Sequence, residues 1–107
     1  MKNILFVCNQ NENRSKTAEL LFQRIWSVKS AGLFNEHPLD KKTMQWADTV
    51  IVMEDFQRKE LVQRFPTESL QKKILSLDIP DIYKKNDVSL QSLIKRKIQS
   101  LMNDSIL

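Results

Sequence analysis

The chain of 107 residues has very little of the residue types that build disulfide frameworks and flexible linkers. It contains one cysteine, one glycine and three prolines. A single cysteine excludes an intramolecular disulfide and a cysteine-rich zinc site, and no metal-ligand cluster stands out elsewhere. No low-complexity segment interrupts the chain, and its length suffices for one small core. The sequence therefore predicts a single domain over residues 1–107.

Long hydrophobic runs are also absent. No apolar stretch approaches the roughly 18 residues that a membrane-spanning helix requires. The apolar run at residues 4–7 is too short for the core of a signal peptide, and a polar loop follows it instead of a small-residue cleavage site. We therefore expect a cytoplasmic protein that does not enter a membrane.

Neither sign of charge is in strong excess. The 17 Lys and Arg residues stand against 13 Asp and Glu residues, which gives a net charge of +4. This mildly basic balance is compatible with an anionic ligand. The basic residues are spread along the chain and interleaved with acids, a pattern typical of solvated faces. Nucleic acid is therefore not expected as a partner.

Short apolar runs alternate with helical patterns along the chain. Strands are predicted at residues 4–7, 28–31, 49–53 and 74–77. Helices are predicted at residues 18–25, 39–46, 54–65 and 90–102. Because strands alternate with helices and the first run is continuously apolar, the sequence predicts an α/β fold with an open, mostly parallel four-stranded sheet flanked by helices.

Four positions carry more specific expectations. Ser15 and Ser89 are candidate N-caps of the first and last helices. Ile25 continues the apolar stripe of the first helix and is expected to face the core. Gly32 is the only glycine of the chain, and we expect it to adopt a backbone conformation that other residues avoid.

The densest chemical signal lies between the first strand and the first helix. Cys8 ends the strand, a polar loop of five residues follows, and Arg14 and Ser15 come next. This C-x5-R-S layout places a thiol and a guanidinium at a helix N-terminus, a location that favours both a thiolate and a bound tetrahedral oxyanion. Ligands of parallel sheets bind beyond the carboxyl ends of the strands. Asp81 follows the fourth strand and is expected at the same edge as Cys8.

These segments resemble the low-molecular-weight protein tyrosine phosphatases. Residues 4–19 are similar to the family's first strand, its C-x2-N-x2-R-S loop and the helix that follows. Three further segments are similar and come in family order: Ser30-Ala31-Gly32, Ala47-Asp48 with the strand after it, and Pro80-Asp81-Ile82-Tyr83. The resemblance implies the flavodoxin-like phosphatase architecture of this family.

The resemblance also implies a metal-independent phosphomonoester hydrolase without a cofactor. By this resemblance, the Cys8 thiolate is implied to attack phosphorus and become a phosphocysteine, and Arg14 is expected to hold two oxygens of the phosphoryl group. By the same resemblance, Asp81 is implied to protonate the leaving oxygen and then to activate water, and Asp78 is the rival candidate for this acid. The implied substrate is a phosphotyrosine-containing protein or a small aryl phosphate, and Tyr83 is implied to flank its aromatic group.

The loop between the nucleophile and the arginine is the implied phosphate site. Ser15 is implied to donate a hydrogen bond to the thiolate, and Asn11 is implied to brace the loop. Inorganic phosphate or sulfate is expected as a ligand of the same site. The loop residues predicted to bind phosphate are Asn9, Gln10, Asn11, Glu12 and Asn13.

Some positions depart from the family pattern. Gln10 stands where the family usually has a glycine, and Glu12 stands where it has an apolar residue. A Glu12 carboxylate opposes an anion if it points inward, and it selects cationic substrates if it points outward. The alternative function is therefore a non-catalytic module that binds phosphate or phospho-ligands on the same fold. Thioredoxin-linked arsenate reduction, also known on this fold, passes a disulfide between cysteines, which Cys8 alone cannot do within one chain.

Overall fold

The computed structural model describes residues 2–107 and contains four strands and five helices in this range. The strands are Asn3–Cys8 (β1), Ser27–Gly32 (β2), Thr49–Val52 (β3) and Lys73–Ser76 (β4). The helices are Arg14–Phe22 (α1), Lys41–Trp46 (α2), Asp55–Arg64 (α3), Pro66–Leu70 (α4) and Val88–Asn103 (α5). None of these helices is both long and apolar enough to cross a membrane.

The strands form one sheet in the order β2-β1-β3-β4, and all of its pairings are parallel. Residues 4–7 of β1 are fully buried, as expected for a strand that is covered on both faces. The predicted α/β fold with an open, parallel four-stranded sheet is confirmed. Cys8 pairs with Gly32 at the last position of β1, so the thiol lies at the carboxyl edge of an interior strand.

The sheet separates two hydrophobic layers. On one face, Ile4 and Phe6 of β1 pack with helices α1 and α5 in what we call the α1–α5 layer. On the other face, Leu5 and Val7 pack with helices α2 and α3. Alternate side chains of one strand thus anchor both layers. The loop after Cys8 therefore starts from a rigid position.

Helix boundaries differ from the sequence pattern where apolar residues are exposed. Helix α1 ends at Phe22, and Ile25 lies beyond it with 57% of its surface exposed. The prediction that Ile25 faces the core is therefore wrong.

Pro66 follows α3 and is the first residue of α4, a position that suits a residue without a backbone N–H. Periodicity gave no signal for α4, because five residues are too few to show a helical pattern.

Both candidate serine caps are wrong. The N-cap of α5 is Asp87, whose carboxylate accepts hydrogen bonds from the N–H groups of Ser89 and Leu90 at 2.8 and 3.4 Å. The N-cap position of α1 is occupied by Asn13. Ser15 lies inside that helix, and its hydroxyl contacts the preceding loop instead of the helix end. An aspartate is as good a cap as a serine, so sequence alone could not choose between neighbouring candidates.

Gly32 is required because a side chain at this position would clash with its neighbours, and not because of its backbone conformation. No glycine of the described residues has a positive φ, so the expected conformation is wrong. A Cβ atom at Gly32 would lie 2.9 Å from the side chain of Asn35 and 2.9 Å from the carbonyl oxygen of Asn9. The missing side chain therefore lets the segment after β2 close against the loop after β1. Asn35 Nδ2 completes this contact by donating to the carbonyl oxygen of Gln10 at 3.3 Å.

Candidate active site

The candidate site is built on the loop between β1 and α1. Cys8 ends β1 and is only 3% exposed. Its Sγ atom accepts a hydrogen bond from the backbone N–H of Asn11 at 3.2 Å and lies 2.9 Å from Ser15 Oγ. One backbone N–H is thus directed at the sulfur, at the position where a nucleophilic thiolate would need a donor.

Asn11 shapes the middle of the loop. Its φ is 57°, a left-handed conformation that asparagine tolerates better than most residues. Its Oδ1 accepts from the Ser15 hydroxyl at 2.7 Å, and its Nδ2 lies 3.5 Å from the carbonyl oxygen of Ser30. Asn11 thus connects the loop to both α1 and β2, which is the geometry of a bracing residue.

Ser15 has one hydroxyl proton and two neighbouring acceptors, Asn11 Oδ1 and Cys8 Sγ. While the hydroxyl donates to Asn11, the contact with Cys8 requires the thiol to donate its own proton to Ser15 Oγ. When Cys8 ionises, the hydroxyl can turn and donate to the thiolate. Rotation of this one hydroxyl thus lets Ser15 pair with either a thiol or a thiolate at Cys8.

Arg14 begins helix α1 and is only 1% exposed, unlike an arginine on a protein surface. Its Nη1 atom donates to Glu54 Oε1 and, at 2.7 Å, to the carbonyl oxygen of Ile79. Its Nε and Nη2 atoms make no hydrogen bond within residues 2–107. These two atoms form the edge of a guanidinium that pairs with two oxygens of a phosphate. One nitrogen thus fixes the arginine, while Nη2 makes no hydrogen bond and Nε makes only a longer ion pair, with Asp81 Oδ1 at 3.8 Å.

The two candidate acids lie in different places. Asp81 Oδ1 is 3.8 Å from Arg14 Nε, and the Asp81 side chain is 54% exposed, so it can exchange protons with solvent. Asp78 has a positive φ of 55°, and its carbonyl oxygen accepts from Lys97 of α5 at 3.4 Å. Asp81, and not Asp78, lines the pocket that contains Cys8.

Six of the predicted site residues line one small pocket at the carboxyl edge of the sheet. They are Cys8, Gln10, Glu12, Asn13, Arg14 and Asp81. Four other predicted residues are not among the lining residues: Asn9, Asn11, Ser15 and Tyr83. Arg14 is the single cation of the six, and it shares the pocket with two carboxylates. The pocket therefore offers no excess of positive charge before an anion binds.

The segment after Asp81 is fastened to α1. Asn13 Oδ1 accepts from the backbone N–H of Lys85 at 3.0 Å, and Thr17 Oγ1 accepts from that of Asn86 at 2.9 Å. Between these contacts and Asp81, Tyr83 is partly buried and packs against the α1–α5 layer. The structure thus places the Tyr83 ring in the packed layer and not in the pocket.

Sequence reasoning missed two residues of the site, Glu54 and Gln57. Glu54 pairs with the Arg14 guanidinium. Gln57 is fully buried, and its Nε2 donates to Asn9 Oδ1 at 2.9 Å. Their E-x-x-Q spacing is a signal for a helix start. Nothing in that signal indicates that both side chains contact a loop 40 and 48 residues earlier in the chain.

Comparison with known proteins gives matches among solved structures, whereas no family model and no curated protein matches this sequence. The YwlE arginine phosphatase from Geobacillus stearothermophilus has a TM-score of 0.71 and 23% identity, over 99% of this chain and 96% of that chain. Wzb from Vibrio vulnificus, in complex with benzylphosphonate, has a TM-score of 0.75 and 21% identity over 96% and 98% of the two chains. A low-molecular-weight phosphotyrosine phosphatase from Vibrio cholerae O395 has a TM-score of 0.76 and 18% identity over 97% and 96%.

The chain has the fold of the low-molecular-weight protein tyrosine phosphatases. Each alignment extends over nearly all of both chains, so the flavodoxin-like phosphatase architecture that the resemblance implied is confirmed. A phosphatase fold does not by itself establish an activity, which depends on the side chains of the pocket. Within residues 2–107 of this phosphatase-like chain, no group of three or more His, Cys, Asp or Glu side chains is arranged to hold a metal ion.

Proposed function

We propose that this chain is a metal-independent phosphomonoester hydrolase of the protein tyrosine phosphatase type. The observation that carries the proposal is that Cys8, Arg14 and Asp81 line one pocket, with Nε and Nη2 of Arg14 free of hydrogen bonds. The three side chains supply a nucleophile, a phosphoryl clamp and an acid. The phosphatases among the structural neighbours support the same reaction class.

In the first step, the Cys8 thiolate attacks phosphorus and forms an S–P bond, while the P–O bond to the leaving group breaks. Asp81, in its protonated form, gives its proton to the leaving oxygen. Arg14 and the N–H groups of the loop hold the equatorial oxygens, where charge must be stabilised. The products are a phosphocysteine and a neutral alcohol or phenol.

In the second step, water attacks the phosphocysteine and the S–P bond breaks. The Asp81 carboxylate accepts the proton that the water loses, which restores the acid for the next cycle. The Cys8 thiolate leaves as the Asn11 N–H donates to it and the Ser15 hydroxyl turns toward it. Inorganic phosphate is then released.

The proposed substrate is a phosphotyrosine-containing protein or a small aryl phosphate. Inorganic phosphate or sulfate is the proposed ligand of the unreacted site. The exposed position of Asp81 at the edge of the pocket suits a phosphoryl group carried by another protein. A catalytic thiol must stay reduced, and this favours the cytoplasm as the place of reaction.

The proposal is tested with p-nitrophenyl phosphate at mildly acidic pH. Wild-type protein should release p-nitrophenol, and Cys8→Ser should release none above background, because a hydroxyl is far less ionised than a thiol. EDTA should leave the wild-type rate unchanged. Turnover near the wild-type rate in Cys8→Ser would exclude the phosphocysteine. Activity that is lost in EDTA and restored by zinc or magnesium would exclude the metal-independent reaction.

A second candidate function is a non-catalytic module that binds phosphate or phospho-ligands. The observation in its favour is the number of carboxylates near Arg14, the single cation that lines the pocket. Glu12 and Asp81 line the pocket, and Glu54 already pairs with Arg14. Phosphate that protects Cys8 from iodoacetate, in a protein without p-nitrophenyl phosphate turnover, would favour this module over the hydrolase.

A further inference from the structure

Gln57 is a fully buried polar side chain that the reaction outlined above does not use. Glutamine is mostly exposed in proteins. Burial of its amide removes hydrogen bonds to water, and this costs free energy unless the oxygen and the nitrogen both find partners. The partners of each atom therefore indicate what the residue does.

The oxygen of Gln57 serves the start of helix α3. Its Oε1 accepts from the backbone N–H groups of Met53 and Glu54, both at 2.9 Å. The contact with Glu54 is half of a capping box, whereas the Met53 N–H also donates to the carbonyl oxygen of Val7 at 3.1 Å. Local capping accounts for the oxygen, but it makes no use of the amide nitrogen.

The nitrogen of Gln57 contacts the candidate active site. Its Nε2 donates to Asn9 Oδ1 at 2.9 Å, and the two residues are 48 positions apart in sequence. Asn9 directly follows Cys8, and its carbonyl oxygen accepts from the N–H of Phe34 at 2.9 Å. The beginning of the loop is thus held through its side chain by α3 and through its backbone by the segment after β2.

We propose that Gln57 is a positioning residue for the phosphate-binding loop and that its amide NH2 group performs this function. The inference rests on the proposed function of that loop. Loop N–H groups stabilise an oxyanion when they already converge on its position before the reaction. Asn9 lies between the proposed nucleophile Cys8 and the rest of the loop. The orientation of Asn9 therefore determines the positions of the backbone N–H groups that follow it. Misplacement by about 1 Å at such a site can cost about 10²-fold in rate.

A double-mutant cycle between Gln57 and Asn9 tests the proposal. Gln57→Met keeps the length of the side chain and removes its amide, whereas Asn9→Ala breaks the same hydrogen bond from the partly exposed loop. Each single variant should lower kcat for p-nitrophenyl phosphate by about tenfold or more, with a smaller change in KM. The double variant should lose no more than Gln57→Met alone, because both changes remove one interaction.

Ser69→Ala is the matched control. Ser69 is buried, and its Oγ donates to the carbonyl oxygen of Leu61 in α3 at 3.4 Å. Removing this hydroxyl should lower the midpoint of thermal unfolding and leave kcat unchanged. If Gln57→Met and Asn9→Ala behave in the same way as this control, or if their losses of kcat are additive, Gln57 is only a structural cap and the proposal is wrong.

A second measurement separates this proposal from the hydrolase function. Iodoacetate alkylation of Cys8, with and without vanadate, reports on the loop even in a protein that has no turnover. A wild-type protein without turnover would reject the hydrolase, whereas weaker vanadate protection in both Gln57→Met and Asn9→Ala would still support positioning by Gln57. Wild-type protection in Asn9→Ala would overturn the proposal, and this holds even if Gln57→Met fails to fold.

Discussion

Arg14 shows how single residues set the charge of the candidate site. Its guanidinium is buried, pairs with Glu54 and donates to the backbone of Ile79. An arginine held in one conformation loses little further entropy when an anion binds. The pairing also cancels much of its positive charge. The pocket therefore presents little net positive charge to a bound phosphoryl group beyond the hydrogen bonds that Arg14 and the loop can donate.

The assignment of Asp81 as the acid predicts a dependence on the leaving group. General acids contribute a factor of about 10² to 10⁴ in rate, and p-nitrophenolate needs little protonation, whereas the more basic phenolate of tyrosine needs more. Asp81→Asn should therefore slow phosphotyrosine hydrolysis more than p-nitrophenyl phosphate hydrolysis. The measurement is kcat for both substrates, with Asp78→Asn as the control from outside the pocket. A leaving-group effect in Asp78→Asn, or none in Asp81→Asn, would contradict the assignment.

The residues of the site could be predicted from the sequence where they are close in the chain. Cys8, Arg14 and Ser15 fall within one strand-loop-helix segment, so their spacing already indicates a common loop. Glu54 and Gln57 could not be predicted, because their contacts with the loop join residues 40 and 48 positions apart. The spacing of residues along the sequence does not indicate such long-range contacts. They depend on the pairing of β1 with β3, which brings the two segments together.

At the scale of elements, the strands could be predicted best and the helix ends worst. Strands β1 and β3 are continuous apolar runs because helices cover both faces of the sheet. Helix α1 is different, since its buried residues include Arg14, Ser15 and Thr17. The polar residues of its first turn are buried against the candidate site and not in the hydrophobic core. The spacing of apolar residues therefore does not predict where this helix begins and ends.

The N-terminus of helix α2 is expected to make the stability of the protein depend on pH, because its N-cap residue is a charged aspartate, Asp40. Asp40 Oδ1 accepts from the N–H of Thr43 at 2.8 Å. Hydrogen bonds from the backbone and then the side chain of Thr43 lower the pKa of Asp40 below its ordinary value of 3.8. A carboxylate whose pKa is lowered by folding stabilises the protein above its unfolded pKa. That stabilisation is lost as the pH falls through the folded pKa.

Asp40→Asn should therefore reduce the acid sensitivity of the protein. The measurement is the midpoint of thermal unfolding at neutral pH and at a series of decreasing acidic pH values, through which the Asp40 carboxylate becomes protonated. The wild-type midpoint should fall more over this series than the midpoint of Asp40→Asn. An equal fall in both proteins would show that the cap contributes no pH dependence.

At the scale of the whole molecule, the pocket joins segments from both ends of the chain. The β1–α1 loop forms one wall and the segment after β4 forms the other. Inorganic phosphate should therefore bind the folded protein and raise its midpoint of thermal unfolding. At a phosphate concentration of one hundred times Kd, the free energy of unfolding should increase by about 2.7 kcal/mol. The rise should be smaller in Arg14→Lys, because a point charge cannot replace the two-nitrogen edge of the guanidinium. An equal rise in that variant would place the anion elsewhere.

The hydrogen bond from Arg14 to Ile79 spans 65 residues, and this distance sets the order in which the site can assemble during translation. The ribosome delivers Cys8 and Arg14 early, with the strand that carries the thiol. The carbonyl anchor of Arg14 and the acid Asp81 emerge only with the last third of the chain. A nascent or prematurely terminated chain that stops before residue 79 thus contains Cys8 without the carbonyl that anchors Arg14 and without Asp81. Under the proposed function, hydrolysis is expected only from chains long enough to contain both the Ile79 carbonyl and Asp81.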